Sequence, residues 1–453
     1  MPPGEHLPSL AELRRMAERT LALSEADETE ITIEAESDAL TRFANNTIHQ
    51  NVAEQGLVIS VRAVVDGRTA RATTNKGDDE SLRRTAAAAF ELARHQPKNP
   101  SLLPMPGLQS RGAAVPIRRY FEATAAASPA DRARVVAALC ETARHEGHTA
   151  AGIFSTGASA LALANSRGLF ACHAQTRAEF SITAMDSDSS GWAKATSPDI
   201  RAIDPQALAR SAMDKAAMSR RPREVEPGRM TVILEPAAVL DLVGFLFYDF
   251  AGTAVLDHRS CFNERMGKQV MGKNIHLWDD VYHPLQSGAP FDGEGLPRQR
   301  VKLVDGGVPK RLVYSRATAK KMKEKPTGHG LPLPNEYGEA PMNLVVEGGD
   351  TSPEKMIAST ERGVLLTRVW YVREVDPYEK VLTGMTRDGT FLIEGGRVVA
   401  GLRNFRFNQN ILEMLSHVEQ LSPSVRASGE EAFDMVVPAM KVRDFHFTEL
   451  TKF

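Results

Sequence analysis

The sequence predicts an α+β fold in two domains, a mixed α/β unit over residues 1–226 and a β-rich unit over residues 227–453. Three observations lead there. Apolar residues recur at helical spacing in some windows and at every second position in others. A short, charged, proline-broken stretch from Arg221 to Gly228 separates the halves. The second half is richer in β-branched runs and turn signals than in helical windows.

In the first half, Leu10, Leu13, Met16, Ala17 and Leu21 give one apolar helical face within Leu7 to Leu23. Period-two segments follow: Ile31-Thr-Ile33 as a short strand, Leu57 to Val65 as a longer one, and Thr69 to Thr74 after Asp66-Gly67, a dipeptide that marks a hairpin. Acidic residues at Asp78-Asp79-Glu80 suit the positive end of a second helix running towards His95. Residues 96–119 hold five prolines and little periodicity, which predicts a long irregular connection. Ser128-Pro129 supplies an N-cap and a proline at the first helical position, so a helix extends to about His145. Strand-like residues run from Ala150 to Asp186 around a turn at Asn165-Ser-Arg-Gly168, and Asp204-Pro205 opens a helix to about Ser219.

In the second half, Met230 to Leu234 reads as a strand, and Pro236 to Phe250 and Ser315 to Lys323 as the clearest helices. Val364 to Val372 is a β-branched and aromatic run, and Thr390 to Glu394 with Arg397 to Gly401 flank Gly395-Gly396 as a hairpin.

Composition narrows the function. With 42% hydrophobic and 25% charged residues, the chain can build ordinary globular cores. The 55 Lys and Arg against 57 Asp and Glu leave a net charge of −2, so no overall field favours nucleic acid or anionic lipid. Three cysteines, Cys140, Cys172 and Cys261, are too few for a disulfide scaffold and fit a reducing cytoplasm. The opening residues lack the basic start and apolar run of a signal peptide. Val239 to Leu256 carries Asp241 and Asp249 and is better read as a buried helix than as a membrane span.

Several polar constellations invite chemical readings. His145-Glu146-Gly-His148 has its histidines at i and i+3, which misses the one-turn spacing of a zincin; a polar helix end explains them. Asp257, His258, Cys261, His276 and His283 supply metal-ligating types but no familiar spacing. Asp279-Asp280 and Asp292-Gly-Glu294 could share acid and base roles, although carboxylate pairs are commonplace in solvated turns.

Two stretches then resemble a known family. One is Arg42-Phe-Ala-Asn-Asn46 with Ile48-His-Gln50 and the strand-turn-strand from Gly56 to Thr74. The other is Phe291-Asp-Gly-Glu-Gly-Leu-Pro-Arg-Gln-Arg300, then Leu303-Val-Asp-Gly-Gly307, Tyr314-Ser-Arg-Ala-Thr-Ala-Lys320 and Thr327-Gly328, continued by Asn343, Glu347-Gly-Gly349 and Gly363-Val364. The order of these motifs over residues 40–410 is similar to that of the TldD/PmbA (TldE) family, the modulators of gyrase. The resemblance implies a mixed N-terminal domain, a β-rich C-terminal domain and a cytoplasmic assembly that degrades unfolded peptides.

In the TldD branch a helix bears HExxxH, whose histidines hold zinc and whose glutamate activates water, with a further ligand near the C-terminus. The matching helix here reads Leu240-Asp-Leu-Val-Gly-Phe245. With Gly244 at the family glycine, Leu240 and Phe245 occupy the histidine slots and Asp241 the glutamate slot. Val436 to Phe453 contains no cysteine. Zinc requires nitrogen, sulfur or oxygen donors, so the resemblance implies a chain without catalytic or metal-binding residues, closer to the PmbA/TldE side, whose zinc sits in a TldD-like partner. Its expected role is a supporting subunit of a hetero- or homo-oligomer that receives an extended peptide by strand addition. The alternatives are an active hydrolase with a metal relocated among His258, Cys261, His276 and His283, and a homo-oligomeric peptide-binding scaffold.

Overall fold

The computed structural model describes residues 7–108 and 117–451. Part of the proline-rich connection read over 96–119 thus lies outside the described residues. Helix α1 (Leu10–Ala22) starts where it does because Ser9 accepts the Glu12 amide while the Glu12 carboxylate accepts the Ser9 amide, a reciprocal cap. Then come β1 (Glu28–Ala44), β2 (Thr47–Val65) and β3 (Arg68–Thr74). The short strand expected at Ile31–Ile33 is only the start of the 17-residue β1, and β2 begins ten residues before Leu57. Their polar outer halves have weak intrinsic preference, yet residues 30–43 of β1 are paired on both sides, and a ladder on each flank overrides local propensity. The hairpin turns at Asn45 and Asn46, both at positive φ, the backbone that a two-residue turn demands.

Helices α2 (Asp79–Arg94), α3 (Glu122–Ala125) and α4 (Pro129–His145) precede β4 (Thr149–Asn165), β5 (Phe170–Met185) and β6 (Ser190–Ser197), and α5 (Pro205–Met218) follows. The six strands form one antiparallel sheet ordered β3-β2-β1-β4-β5-β6. Alternation gives the sheet two chemically different faces. On one, Ile31, Ile33, Ile59 and Val61 pack beneath α1 and α2, and Phe154, Phe180 and Ile182 beneath α4 and α5. The helices approach closely because they present alanine: a Cβ at Gly191 of β6 would lie 2.1 Å from the Ala212 carbonyl oxygen of α5. The other face turns towards the second domain and is mostly polar, apart from a patch where Leu163 packs with Leu169 and Phe291. There Glu30 is enclosed by Arg62, at 3.1 and 2.8 Å, and by Arg71, at 2.7 Å, which also donates to the Leu333 carbonyl.

The second domain begins with β7 (Arg229–Leu234), α6 (Pro236–Val243) and α7 (Gly252–Leu256). Strands β8 (Leu277–Asp279), β9 (Val301–Asp305) and β10 (Val308–Pro309) are followed by α8 (Arg316–Met322), β11 (Leu344–Val346), β12 (Arg362–Asp376), β13 (Val381–Glu394), β14 (Arg397–Gly401), β15 (Phe405–Asn410), β16 (Val418–Leu421), β17 (Val425–Ala427), β18 (Met435–Val437) and β19 (Met440–Leu450). One sheet runs β10-β9-β8-β11-β18-β17 and another β12-β7-β19-β15-β13-β14, where an added β12–β13 pairing closes five strands on themselves. Phe405, Phe407, Phe445 and Phe447 pack together within its core, and α6 is apolar on nearly every side because it is buried on nearly every side. The helix expected over Pro236 to Phe250 is α-helical only to Val243; from Gly244 it tightens into a 3₁₀ turn, where glycine has little helical preference and a Cβ would lie 2.5 Å from that of Ala432.

Two glycines test the packing. Gly191→Val should destabilise the protein by about 2 kcal/mol through overpacking against α5. Gly56→Ala, where nothing lies within 4 Å of a Cβ, should leave stability nearly unchanged. Denaturant midpoints of the two variants check the contrast.

Candidate functional site

Helix α6 lies in the second domain's core with Leu240, Asp241 and Leu242 each 0% exposed. The two leucines need no explanation beyond packing, but a buried aspartate does. Its Oδ1 accepts the amides of Glu431 at 2.9 Å and Ala432 at 3.1 Å, and its Oδ2 accepts that of Glu430 at 3.2 Å. Burial pushes the carboxyl up to about 6; the three amides oppose that rise, and the nearby Glu431 charge adds to it. The loop can come this close only because residue 429 is glycine, whose Cβ would lie 2.1 Å from Asp241 Oδ1. Phe245, half-buried, faces an opening of about 320 Å³ lined also by Phe247, Glu431 and Phe433.

Zinc does not fit this donor set. Leu240 and Phe245 offer no ligand atom, and both Asp241 oxygens are already engaged by backbone N–H groups. The other metal-type residues do not converge either. Cys261 is buried with its thiol pushed up by desolvation and by Asp249, whereas Asp257 and His258 are exposed. His276 pairs with Asp305 at 3.0 Å, and His283 Nδ1 accepts the Leu285 amide at 3.2 Å. Among the described residues no group of three or more His, Cys, Asp or Glu side chains is placed to hold a metal ion.

Three polar clusters are structural in different ways. His145 ends α4 in solvent as expected, but His148 is buried and bonded to Asp186 at 2.8 Å. The solvated-turn reading of the two acidic pairs is corrected, since all four residues are buried. Asp279 meets His329 at 2.8 Å and accepts the Asn343 amide at 2.8 Å, and Asp280 pairs with Arg300 at 3.0 Å. Asp292 accepts the amides of Glu294, Leu296 and Gly330, which folds the 292–296 turn inward. Glu294 takes the Arg316 amide at 3.1 Å and is pushed up to about 7 by burial and by Asp292.

Sequence inspection missed a further site between the domains. The polar face of β5 and β6, elements at 287–289 and 342–343, Arg298, and the 426–434 segment enclose a cavity of about 430 Å³. Arg177, Lys194, Arg298 and Arg426 line it, opposed in the lining by Asp434 alone. Lys194 Nζ donates to the Gly429 carbonyl at 3.0 Å, so the segment that seats Asp241 is also a wall of this cavity. These cations are spread over 250 positions of sequence; only the alternation along β5 and β6 could have placed Arg177 and Lys194 on one face.

A mixed sheet-and-helix domain joined to a β-rich domain around a core helix is the arrangement of a metallopeptidase family. The PmbA/TldA metallopeptidase domain 1 matches residues 29–93, its central domain 118–220 and its C-terminal domain 227–449. The chain belongs to the PmbA/TldD family. It is 25% identical over 228 residues to a metalloprotease of Methanocaldococcus jannaschii, a match covering 49% of each chain, and 21% identical over 226 residues to the metalloprotease PmbA of Escherichia coli O157:H7, covering 49% of this chain and 47% of that one. These matches thus span about half the length of the curated relatives. Two solved structures share the whole fold. TldE from Thermococcus kodakarensis superposes with a TM-score of 0.86 at 19% identity, over 96% of this chain and 99% of that one. A putative modulator of a DNA gyrase from Thermotoga maritima gives 0.83 at 19% identity, over 96% and 100%.

Two outcomes follow from the buried acids. Asp241→Ala strips three loop amides of their acceptor and should cost about 3 kcal/mol, at about 1–3 kcal/mol for each unsatisfied group less whatever the loop recovers from water; thermal melts and limited proteolysis within 428–434 read it. Glu294 binds its proton more tightly folded than unfolded, so it lowers stability as pH rises from 4.5 towards about 7, and adds no further change above that. Glu294→Gln should therefore gain stability relative to the parent across this window, seen by comparing denaturant midpoints at about pH 5 and about pH 8.

Proposed function

We propose that this chain is the non-catalytic, TldE-like subunit of a TldD-type zinc metallopeptidase, acting in the cytoplasm on unfolded peptides and dependent on a HExxxH-bearing partner for the metal. The observation that supports this reading is the seat of Asp241: the helix that the resemblance matches to the family's HExxxH is apolar, and its one carboxylate is bonded to a loop. Such a chain contributes to proteolysis by shaping the space around a partner's zinc and by holding substrate.

Surface features support both tasks. Strand β3 pairs only with Ile59–Val65 of β2, so residues 47–54 carry β1 on one side and no strand on the other among the described residues. An edge of this kind can accept an extended peptide or a partner's strand through main-chain hydrogen bonds. No helix among the described residues is long and apolar enough to cross a membrane. The near-zero net charge means that association rests on shape and backbone pairing more than on long-range attraction, so it should survive moderate salt.

Co-expression with a TldD-like protein carrying HExxxH tests the reading. The expected result is a stable hetero-oligomer burying more than about 1,000 Å², with zinc only in the partner and peptide cleavage needing both chains. Separate elution of the two chains, with full cleavage by the partner alone, would contradict it and leave the homo-oligomeric scaffold. About one tightly held zinc per copy of this chain would revive the relocated site. Restoring the motif as Leu240→His, Asp241→Glu and Phe245→His should lower the melting temperature and yield no cleavage, because the imidazole at 240 enters an apolar core and the longer acid cannot occupy the same amide seat.

A further inference from the structure

The cavity between the domains holds more cation than its own carboxylates can answer. Arg426 is fully committed: Nη2 to Asp434 at 2.8 Å, Nε to Thr196 at 3.0 Å and Nη1 to the Leu285 carbonyl at 2.9 Å. Lys194 has the Gly429 carbonyl and lies 3.5 Å from both Glu179 and Glu430. Arg177, largely exposed at the rim, pairs with Glu179 at 2.8 Å.

Arg298 is different. No carboxylate lies within salt-bridge distance of it among the described residues, and its guanidinium Nη1 is shut off from solvent without a hydrogen-bond partner. The two acids that feel its charge are occupied elsewhere, Asp279 by His329 and the Asn343 amide, Asp292 by three backbone amides. The backbone that carries the arginine is held in place. Its amide donates to the Pro290 carbonyl at 3.0 Å, and its carbonyl accepts the Tyr282 hydroxyl at 2.9 Å. A guanidinium without an ion-pair or hydrogen-bond partner among the described residues, lining a cavity whose other cations already have partners, is able to take an anion; carboxylates meet guanidinium in paired, charge-assisted bonds. The volume lies within the about 300–1,000 Å³ usual for small-ligand sites.

We propose that this cavity is a carboxylate-anchoring pocket for peptide, with Arg298 as the group that binds the anion: a chain-terminal carboxylate or an acidic side chain enters it while the remainder of the peptide extends along the cleft between the domains. This rests on the peptide-receiving role proposed above and adds what is recognised.

Calorimetry on the full chain with an N-acetylated peptide of alanine, glycine and valine tests it in three forms: free acid, C-terminal amide, and an amide whose last residue is aspartate. The free acid should bind at least about tenfold more tightly than the plain amide, as expected for one charge-assisted contact. Arg298→Gln should abolish the difference with the amide's affinity unchanged, and Arg298→Lys should recover part of it. If the aspartyl amide matches the free acid, the pocket accepts any carboxylate; if it matches the plain amide, the pocket reads the chain end. Equal binding of free acid and both amides overturns the pocket while leaving peptide reception intact, and no binding of any form overturns peptide reception and the pocket with it.

Discussion

The amide seat of Asp241 is the constraint on which the second half of this structure turns. A carboxylate enclosed in an apolar core is costly, because burial strips the water that stabilises its charge. Three backbone N–H groups from one loop replace part of that water, and the glycine at 429 is what lets them reach it. Once seated, the loop is no longer free to move: its Gly429 carbonyl receives Lys194 from the first domain, and Asp434 at its end accepts Thr196 at 2.9 Å and Arg426. One buried acid thus sets the position of a helix, a loop and the wall of the interdomain cavity.

The domains meet largely through polar groups, with one apolar patch where Leu163 and Leu169 pack on Phe291, because most of the apolar surface of the first domain's sheet lies on the face away from the second domain. Helices cover that face, and the other presents Glu30, Arg62, Arg71, Arg177 and Lys194 to the second domain. Buried ion pairs of this kind add little net stability over apolar packing, since desolvation consumes most of the attraction. They do penalise any docking that leaves one charge unmatched. Arg368 shows the same logic at another point: it pairs with Asp388, which also accepts Ser190, and its guanidinium lies 4.8 Å from the Trp192 ring centre on β6. Orientation is specified by charge and hydrogen bonding, and a cavity persists where the surfaces cannot fill each other.

Much of the fold was legible because local signals agreed with the tertiary outcome. Ser128-Pro129 and Asp204-Pro205 started helices where capping chemistry says they should, and Asp66-Gly67 turned a hairpin. The α+β class and the strand-rich second half follow from periodicity. The full lengths of β1 and β2 were not legible, because their outer halves are held by flanking ladders and not by their own residues, although Asn45-Asn46 is a turn signal that went unread. The burial of Asp279, Asp280, Asp292 and Glu294 was also hidden. Their partners, His329, Arg300, backbone amides and Arg316, become neighbours only through folding, and a carboxylate pair in sequence carries no mark of whether amides or water will surround it. The apolar character of Leu240 and Phe245 was visible at once; that a loop nearly 190 residues later bonds the aspartate between them was not.

The proposed function turns on this loop and the apolar helix it is bonded to standing, without metal, where the resemblance matches the family's HExxxH. Hydrogen exchange at the Glu430, Glu431 and Ala432 amides, measured with and without added zinc, tests it most directly. If the seat is as described, these amides exchange slowly for a surface-adjacent loop, and zinc leaves their rates unchanged. Fast exchange that slows when zinc is added would mean that the loop is unseated in solution and organised by metal, and the account of a packed, metal-free centre would be wrong.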